Sequence, residues 1–183
     1  MKVWLLTINT SIVLILSSCL GKNISEIEKQ SLLNESAFNE YGFKFPNAPL
    51  GKYTKLNLPG GATEIEYIYR GYAEDSSYLY ISNTITIDDN AGEAEATYRA
   101  KSKSIQIGKI LNTKPEMMEG FEYGNKSILY ILISDNEPIG NYFQFQLNNI
   151  TYQLILRGFY FSDMQSWERF FKAKIEPAVS KIF

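Results

Sequence analysis

The stretch that decides the fold is FQFQLNNITYQLIL, residues 143–156. Large apolar residues alternate with glutamine up to Leu147, and the alternation resumes at Ile150. A period of two predicts a half-buried β-strand on each side. Asn148 and Asn149 separate the two runs, and asparagine adopts a positive φ more readily than most residues. The stretch therefore predicts a hairpin with a two-residue turn, and with it an antiparallel sheet.

Strand patterns recur on the N-terminal side of this hairpin. In one of them Ile65, Tyr67 and Tyr69 share a face, whereas Glu64, Glu66 and Arg70 share the other. Such alternation of β-branched and aromatic residues with polar ones favours antiparallel strands over parallel ones. We expect strands over residues 52–58, 63–72, 77–87, 109–112 and 127–134, in addition to the hairpin.

Two segments have helical patterns. Residues 91–104 are rich in alanine, glutamate and lysine, which favour helix, and their inward stripe would be Ala94, Tyr98, Lys101 or Ser102, and Ile105. The last segment places apolar residues three and four apart from Trp167 to Ile182. Ser162 would cap this helix, and Pro177 would bend it. The predicted fold class is α+β, a single antiparallel sheet flanked by helices, with a long C-terminal helix packed on the sheet.

The N-terminus has the parts of a secretory signal. One lysine precedes an apolar run that ends at Leu16 and is interrupted by Asn9. A membrane-spanning helix needs about 20 apolar residues, so a cleaved signal fits this run better. Residues 16–19, Leu-Ser-Ser-Cys, resemble the lipobox of bacterial lipoproteins. That resemblance implies removal of residues 1–18, cleavage between Ser18 and Cys19, and a diacylglycerol on Cys19. The alternative is an ordinary signal that happens to contain a cysteine.

The composition of the chain after residue 18 excludes several classes of binding and catalytic site. Without the leader, which contains Lys2 and no acidic residue, the chain has 17 basic and 20 acidic side chains, a net charge of −3. This balance gives no electrostatic reason to expect nucleic-acid binding. The 183 residues include no histidine and a single cysteine, Cys19. Serine and cysteine triads and histidine-ligated zinc sites are thereby excluded, and no cofactor is expected.

Residues 19–41 are expected to form a tether that includes a short helix. Ser25 and Glu28 have the spacing of a capping box, although a flexible linker explains the same segment equally well. Residues 42–183 would then form the folded domain.

The order of several motifs along this domain resembles the PsbP-like fold, which is found in photosystem extrinsic proteins and bacterial envelope lipoproteins. The resemblance implies an antiparallel sheet with packed helices and an accessory or binding role, and it implies no catalytic residues. Residues 117–121, MMEGF, depart from the Pro-Gly step that such proteins often have. The matching segments are FPNAP (45–49), LPGGAT (58–63), YLYI (78–81), GKIL (108–111) and ITYQL (150–154), with Phe170, Phe171 and Phe183 in the closing helix.

Aromatic residues are the main candidates for contacts, since the chain has 13 tyrosines and 11 phenylalanines. Tyrosine suits strand packing and protein interfaces equally. The candidate contacts to a partner or ligand are Tyr67, Tyr69, Tyr78, Tyr80, Phe143, Phe145, Trp167 and Phe171.

We expect a lipid-anchored accessory protein that faces the periplasm, is not an enzyme, and acts through an envelope protein partner, as assembly factors and immunity lipoproteins do. Leu20 after the cysteine is compatible with transport to the outer membrane. One alternative is a small apolar ligand in an open cavity lined by Phe143, Phe145, Trp167 and Phe171. A second is a carboxylate-based enzyme, for which Glu64 and Glu66 are the pair to consider. The acidic run from Asp88 to Glu95 fails the spacing of a calcium loop, so no metal is expected.

Overall fold

The chain folds around one seven-stranded antiparallel sheet, as a computed structural model describes it for residues 23–46, 51–73, 77–106 and 113–182. The α+β prediction is thereby confirmed. Residues 1–18, Cys19 and the strand predicted for 109–112 lie outside the described residues. The strands are β1 (Lys52–Asn57), β2 (Thr63–Tyr72), β3 (Tyr78–Ile87), β4 (Lys114–Met117), β5 (Lys126–Ser134), β6 (Glu137–Leu147) and β7 (Ile150–Arg157), and the helices are α1 (Glu26–Gln30), α2 (Ser36–Asn39), α3 (Ala91–Gln106), α4 (Met164–Phe170) and α5 (Glu176–Val179), with a π-helical turn (Phe171–Ile175) between the last two.

The strand order is β1-β2-β3-β7-β6-β5-β4. The hairpin of residues 143–156 is present as β6 and β7, and Asn148 has the expected positive φ, 53°. A second tight hairpin joins β5 to β6. It was not predicted, because the strand pattern stopped at Ser134. Asp135 and Asn136, with φ of 52° and 66°, form its turn.

One face of the sheet carries the main hydrophobic core. Inward residues of β2, β3, β6 and β7 contact α4 and the π-helical turn there, and the N-terminal segment covers the rest of this face. The ring of Phe38 from α2 lies 5.1 Å from that of Phe170 in α4. The N-terminal and C-terminal helices therefore form one layer on the sheet.

The N-terminal segment belongs to the domain rather than to a tether. The Ser25–Glu28 capping box starts α1 as predicted. Leu32, Leu33 and Phe38 are buried in the main core, although the sequence pattern had assigned them to the tether. The predicted boundary between tether and domain, at residue 41, therefore lies too far along the chain. Three apolar residues are too few to reveal a periodic pattern in the sequence.

Two buried asparagines of the sheet bind segments that lie outside helices and strands, one at Leu33 and one at Phe161. Asn83 accepts from the Leu33 amide at 2.5 Å. Asn141 accepts from the Phe161 amide at 2.7 Å and donates to its carbonyl at 3.2 Å. These amide side chains supply the hydrogen bonds that a neighbouring strand would otherwise provide.

The C-terminal helix runs from Met164 to Val179 in three parts. Asp163 caps it, with Oδ1 accepting from the Ser166 amide at 2.8 Å, so the cap lies one residue after the predicted Ser162. Proline at position 177 cannot donate to the preceding turn and its ring would clash there. A π-helical turn precedes it, in which the Glu176 amide donates to the Phe171 carbonyl five residues earlier. No helix within the described ranges is long and apolar enough to cross a membrane.

The opposite face of the sheet is polar where α3 covers it. Ala94, Tyr98 and Ile105 are buried, as the predicted stripe requires. Side chains of the sheet donate directly to backbone carbonyls of the helix: Gln144 to Tyr98 at 2.7 Å and Thr151 to Ala94 at 3.1 Å. Helix α3 is therefore docked by hydrogen bonds as well as by apolar contact.

Two tyrosines on the buried face of β2 give a matched stability test. The Tyr67 hydroxyl donates to Glu35, whereas that of Tyr69 is buried with no hydrogen-bond partner among the described residues. We expect Tyr67→Phe to lower the free energy of unfolding by about 1.5 kcal/mol, and Tyr69→Phe to leave it unchanged or raise it by up to about 1 kcal/mol. Urea denaturation of the two variants measures the difference, and equal losses in both would contradict the assignment.

Candidate functional site

Five side chains form a tyrosine–arginine surface at one end of the sheet: Arg70, Tyr72, Tyr78, Tyr80 and Arg157. Strand pairing arranges them in two rows. Arg70, Tyr80 and Arg157 are direct neighbours across β2, β3 and β7, and Tyr72 pairs with Tyr78 in the next row. All five lie on the face that α3 covers farther along the strands. Alternate residues of a strand point to the same face, and these residues alternate in step with Glu66 in β2 and Thr84 in β3.

The rings and guanidinium groups contact one another. The Tyr72 and Tyr78 ring centroids are 5.6 Å apart, and those of Tyr78 and Tyr80 are 6.4 Å apart. Arg70 Cζ lies 5.9 Å from the centroid of Tyr80, and Arg157 Cζ lies 6.0 Å from that of Tyr78. Cation–π contacts of this kind hold an arginine over a ring while its N–H groups stay free to donate.

The surface is open to solvent. Tyr72 is 65% exposed, Arg70 is exposed, and the other three residues are half-buried. Neither arginine forms an ion pair with a carboxylate of the described residues. The site thus offers planar hydrogen-bond donors between rigid aromatic groups, a combination that favours binding of carboxylates or peptide carbonyls on a protein.

The tyrosines predicted as contacts divide between the two faces. Tyr78 and Tyr80 lie on the tyrosine–arginine surface. Tyr67 and Tyr69 point to the opposite face and are buried in the main core, so they cannot contact a partner. The physical reason is the alternation of side chains along β2, which places odd-numbered residues inward.

The four residues predicted to line a ligand cavity fill that space with their own side chains. Phe143, Phe145, Trp167 and Phe171 are all buried. The Phe143 ring lies 5.0 Å from Trp167 and 5.7 Å from Phe171, centroid to centroid. These four side chains therefore do not enclose an open cavity between the sheet and the C-terminal helix, because the helix packs directly on these strands. Phe171 also lines one of the surface depressions described below.

The candidate contacts chosen from the sequence did not include Arg70, Tyr72 or Arg157. The alternation in β2 had already placed Arg70 on the polar face, and Tyr72 has the same parity. What the sequence does not show is that β7 lies beside β3, which brings Arg157 next to Tyr80. That neighbour is separated from Tyr80 by 77 positions in the chain, and only the sheet order reveals it.

The carboxylate pair of β2 lies on the same face, nearer to α3. Glu64 forms an ion pair with Lys101 at 2.9 Å and accepts from Thr86 at 3.0 Å. Glu66 accepts from Ser82 at 3.1 Å, and burial, with Glu64 nearby, raises the pKa of its carboxyl. Both groups are engaged with neighbouring side chains, so they stabilise the contact between β2, β3 and α3.

Two open depressions lie beside the loop that precedes β5. One of about 470 Å³ is lined by Tyr98 and residues 122–127, and one of about 330 Å³ by residues 120–123 and the C-terminal helix. Neither includes Glu64 or Glu66, and the smaller one is lined by the side chains of Glu122, Glu168 and Glu176.

Asp88 is the most buried carboxyl group near α3, with 5% of its surface exposed. One oxygen accepts from Thr97 at 3.0 Å, and the other has no hydrogen-bond partner among the described residues. Burial raises the pKa of this carboxyl. The N-terminus of helix α3 is capped by Asn90 rather than by Asp88: the Asn90 side chain accepts from the Glu93 amide at 3.0 Å. No three acidic, cysteine or histidine side chains of the described ranges are grouped closely enough to hold a metal ion.

Replacing Asp88 should change how stability depends on pH. Because the folded protein holds the proton of Asp88 more tightly than the unfolded chain does, the contribution of Asp88 to stability falls as pH rises above the unfolded pKa of about 3.9. Asp88→Asn removes this slope and should be more stable than the wild type at pH 7 by about 1 kcal/mol. The difference should vanish near pH 3, measured by urea denaturation across the pH range. The exposed neighbour Asp89→Asn is the control and should show no such pH-dependent gain.

No protein-family model, curated protein or solved structure matches this chain.

Proposed function

We propose that this chain is a bacterial envelope lipoprotein with a PsbP-like domain, and that its tyrosine–arginine surface binds another envelope protein. In this proposal the signal is cleaved between Ser18 and Cys19, and diacylglycerol on Cys19 holds the domain at the outer membrane, facing the periplasm. The partner is either an assembly component or a toxin that the protein neutralises.

The observation that carries the proposal is the exposed row of tyrosines between two arginines. Tyrosine and arginine are enriched among the residues that contribute most to protein–protein binding. Tyrosine provides a large rigid contact area at a low cost in side-chain entropy, because only two torsions are fixed. A surface that only had to remain soluble would not need Tyr72 at 65% exposure.

The chemistry of the surface indicates an acidic contact region on the partner. Arg70 and Arg157 retain donor groups that no described carboxylate occupies. A guanidinium binds a carboxylate with two parallel hydrogen bonds, and such pairs are stronger than those between neutral groups. The protein as a whole is slightly acidic, so a local pair of arginines distinguishes this surface from the rest.

Photo-crosslinking in living cells tests the partner surface. A photoreactive phenylalanine analogue at Tyr72 should crosslink to one defined protein, and the same analogue at Met117 should not. Met117 is a matched control because it is 58% exposed and lies on β4, an edge strand separated from β2 by four other strands. Equal crosslinking at both positions, or at neither, would count against the proposal.

Affinity measurements with the crosslinked partner test the energetic claim. Tyr72→Ala and Arg70→Ala should each weaken binding by about 30-fold, equivalent to about 2 kcal/mol, as for central interface residues. Met117→Ala should leave the dissociation constant unchanged. Retained binding in both surface variants would refute the assignment of the site.

The anchor is tested separately by mass spectrometry of the protein from its native membrane. We expect a mature chain that begins at Cys19 and carries acyl groups, and we expect Cys19→Ser to move the protein out of the membrane fraction. An intact leader or an unmodified sulfur would overturn this part of the proposal.

A further inference from the structure

The smaller of the two depressions, called here the aromatic depression, has walls formed by three rings. Phe121 and Tyr123 come from the loop that precedes β5, and Phe171 comes from the π-helical turn. The ring centroids of Phe121 and Tyr123 lie 5.0 Å and 4.5 Å from that of Phe171. Both loop rings are only half-buried, so each keeps part of its surface open to solvent at the depression.

The loop holds these rings in place before any ligand binds. Gly120 and Gly124 flank the segment with φ of 94° and 66°, a conformation that glycine adopts without steric cost. The Phe121 ring also lies 5.4 Å from Phe143 of the main core, centroid to centroid. Phe121 and Tyr123 are therefore anchored on the sheet side, and little side-chain entropy remains to be lost on binding.

Three carboxylates line the same depression. Glu122, Glu168 and Glu176 are present together with Lys172, which leaves a net formal charge of −2. Within the described part of the chain, neither the three glutamates nor this lysine forms an ion pair. The Glu176 carboxylate lies near the Tyr123 hydroxyl, since it adds to the effect of burial in raising the pKa of that tyrosine. The aromatic walls are thus bordered by negative charge that no neighbouring lysine or arginine neutralises.

This lining suits an organic cation better than a metal ion. The described ranges contain no three acidic, cysteine or histidine side chains grouped closely enough to hold a metal. A volume of about 330 Å³ is near the lower end for small-molecule sites. Ammonium groups are attracted to the faces of aromatic rings, and the methylenes that carry them pack against apolar surface. Two ammonium groups would balance the charge of the lining.

We propose that the aromatic depression binds a linear aliphatic diamine. Its methylenes lie against the rings of Phe121 and Tyr123, and its two ammonium groups face the glutamates. The ligand is recognised by its two positive charges and its apolar stem together, because a neutral chain gains nothing from the carboxylates and a bare metal ion gains nothing from the rings.

The site is separate from the tyrosine–arginine surface. Lys126, which follows the loop, lies in the row of Gln146, Thr151 and Thr86 across the sheet. Tyr80 lies six residues before Thr86 in β3, which corresponds to about 20 Å along the strand. The C-terminal helix also packs on the opposite face from that surface. Binding of a diamine and binding of a protein partner can therefore succeed or fail independently.

Isothermal titration calorimetry of the full-length chain in non-ionic detergent, at physiological salt, tests the proposal with putrescine as the probe. We expect a submillimolar dissociation constant for putrescine and about 10-fold weaker binding of butylamine, which lacks one ammonium group. Butanediol, which has the same chain length and no charge, should not bind. No binding of putrescine, or equal binding of butanediol, would overturn the proposal, and equal affinity for butylamine would refute the requirement for two charges.

Charge variants locate the site. Glu168→Gln and Glu176→Gln preserve side-chain shape and should each weaken putrescine binding by about 10-fold. Glu137→Gln is the matched control, because it removes the same charge from an exposed residue at the far end of the β5–β6 hairpin. It should leave the dissociation constant unchanged. An equal loss in Glu137→Gln would show general attraction of cations to an acidic protein, and unchanged binding in both other variants would place the ligand elsewhere; either result refutes the site.

A pair of substitutions at Tyr123 tests the aromatic contact. Tyr123→Leu removes the ring face and should weaken putrescine binding by about 3-fold, whereas Tyr123→Phe keeps the face and should retain the wild-type affinity. The thermal unfolding midpoint of each variant without ligand confirms that it is folded. Equal affinity of folded Tyr123→Leu and Tyr123→Phe would contradict the contact between the diamine and this ring.

Discussion

The structure depends on burying the central strands on both faces at once. Strand β7 lies between β3 and β6 and is buried along almost its whole length. On one face this burial is apolar, with Phe143, Phe145 and Tyr152 covered by the C-terminal helix and the N-terminal segment. On the other it is largely polar, and helix α3 supplies the acceptors that the buried glutamines need. The positions of all helices follow from this requirement, because an uncovered central strand would leave one face in water.

Much of this arrangement could be predicted from the sequence, because alternation along a strand records which residues face inward. The bounds of β2, the turn of the hairpin, the inward stripe of α3 and the existence of the C-terminal helix all follow from local periodicity, whereas β6 begins at Glu137, before the predicted Phe143. The order of the strands does not, since it depends on which distant segments pair. The strand at Lys114–Met117 was missed because four residues that include Pro115 show no periodic pattern.

The candidate site shows the same limit. Tyr78 and Tyr80 could be singled out from their residue type, yet the same criterion also selected six residues that are buried. Tyrosine and phenylalanine on a strand have the same appearance in a sequence whether they face the core or the solvent. Arg157 could not be associated with them at all, because β7 becomes the neighbour of β3 only through the sheet order. Local pattern identifies which face a residue occupies, whereas function depends on which residues of distant strands share that face.

The polar contact under α3 has a consequence for the uniqueness of the fold. A helix that rests on a purely apolar surface can shift by a turn or rotate, since one methyl group replaces another at little cost. Here the amide of Gln144 reaches the carbonyl of Tyr98, and that of Gln146 reaches the carbonyl of Ala91. A displacement of one residue would leave the buried Gln144 amide without its acceptor, and burial makes that loss expensive, whereas Gln146 also donates to the Asn148 carbonyl at 3.1 Å. The hydrogen bonds of the two glutamines thus fix the position of helix α3 along the sheet.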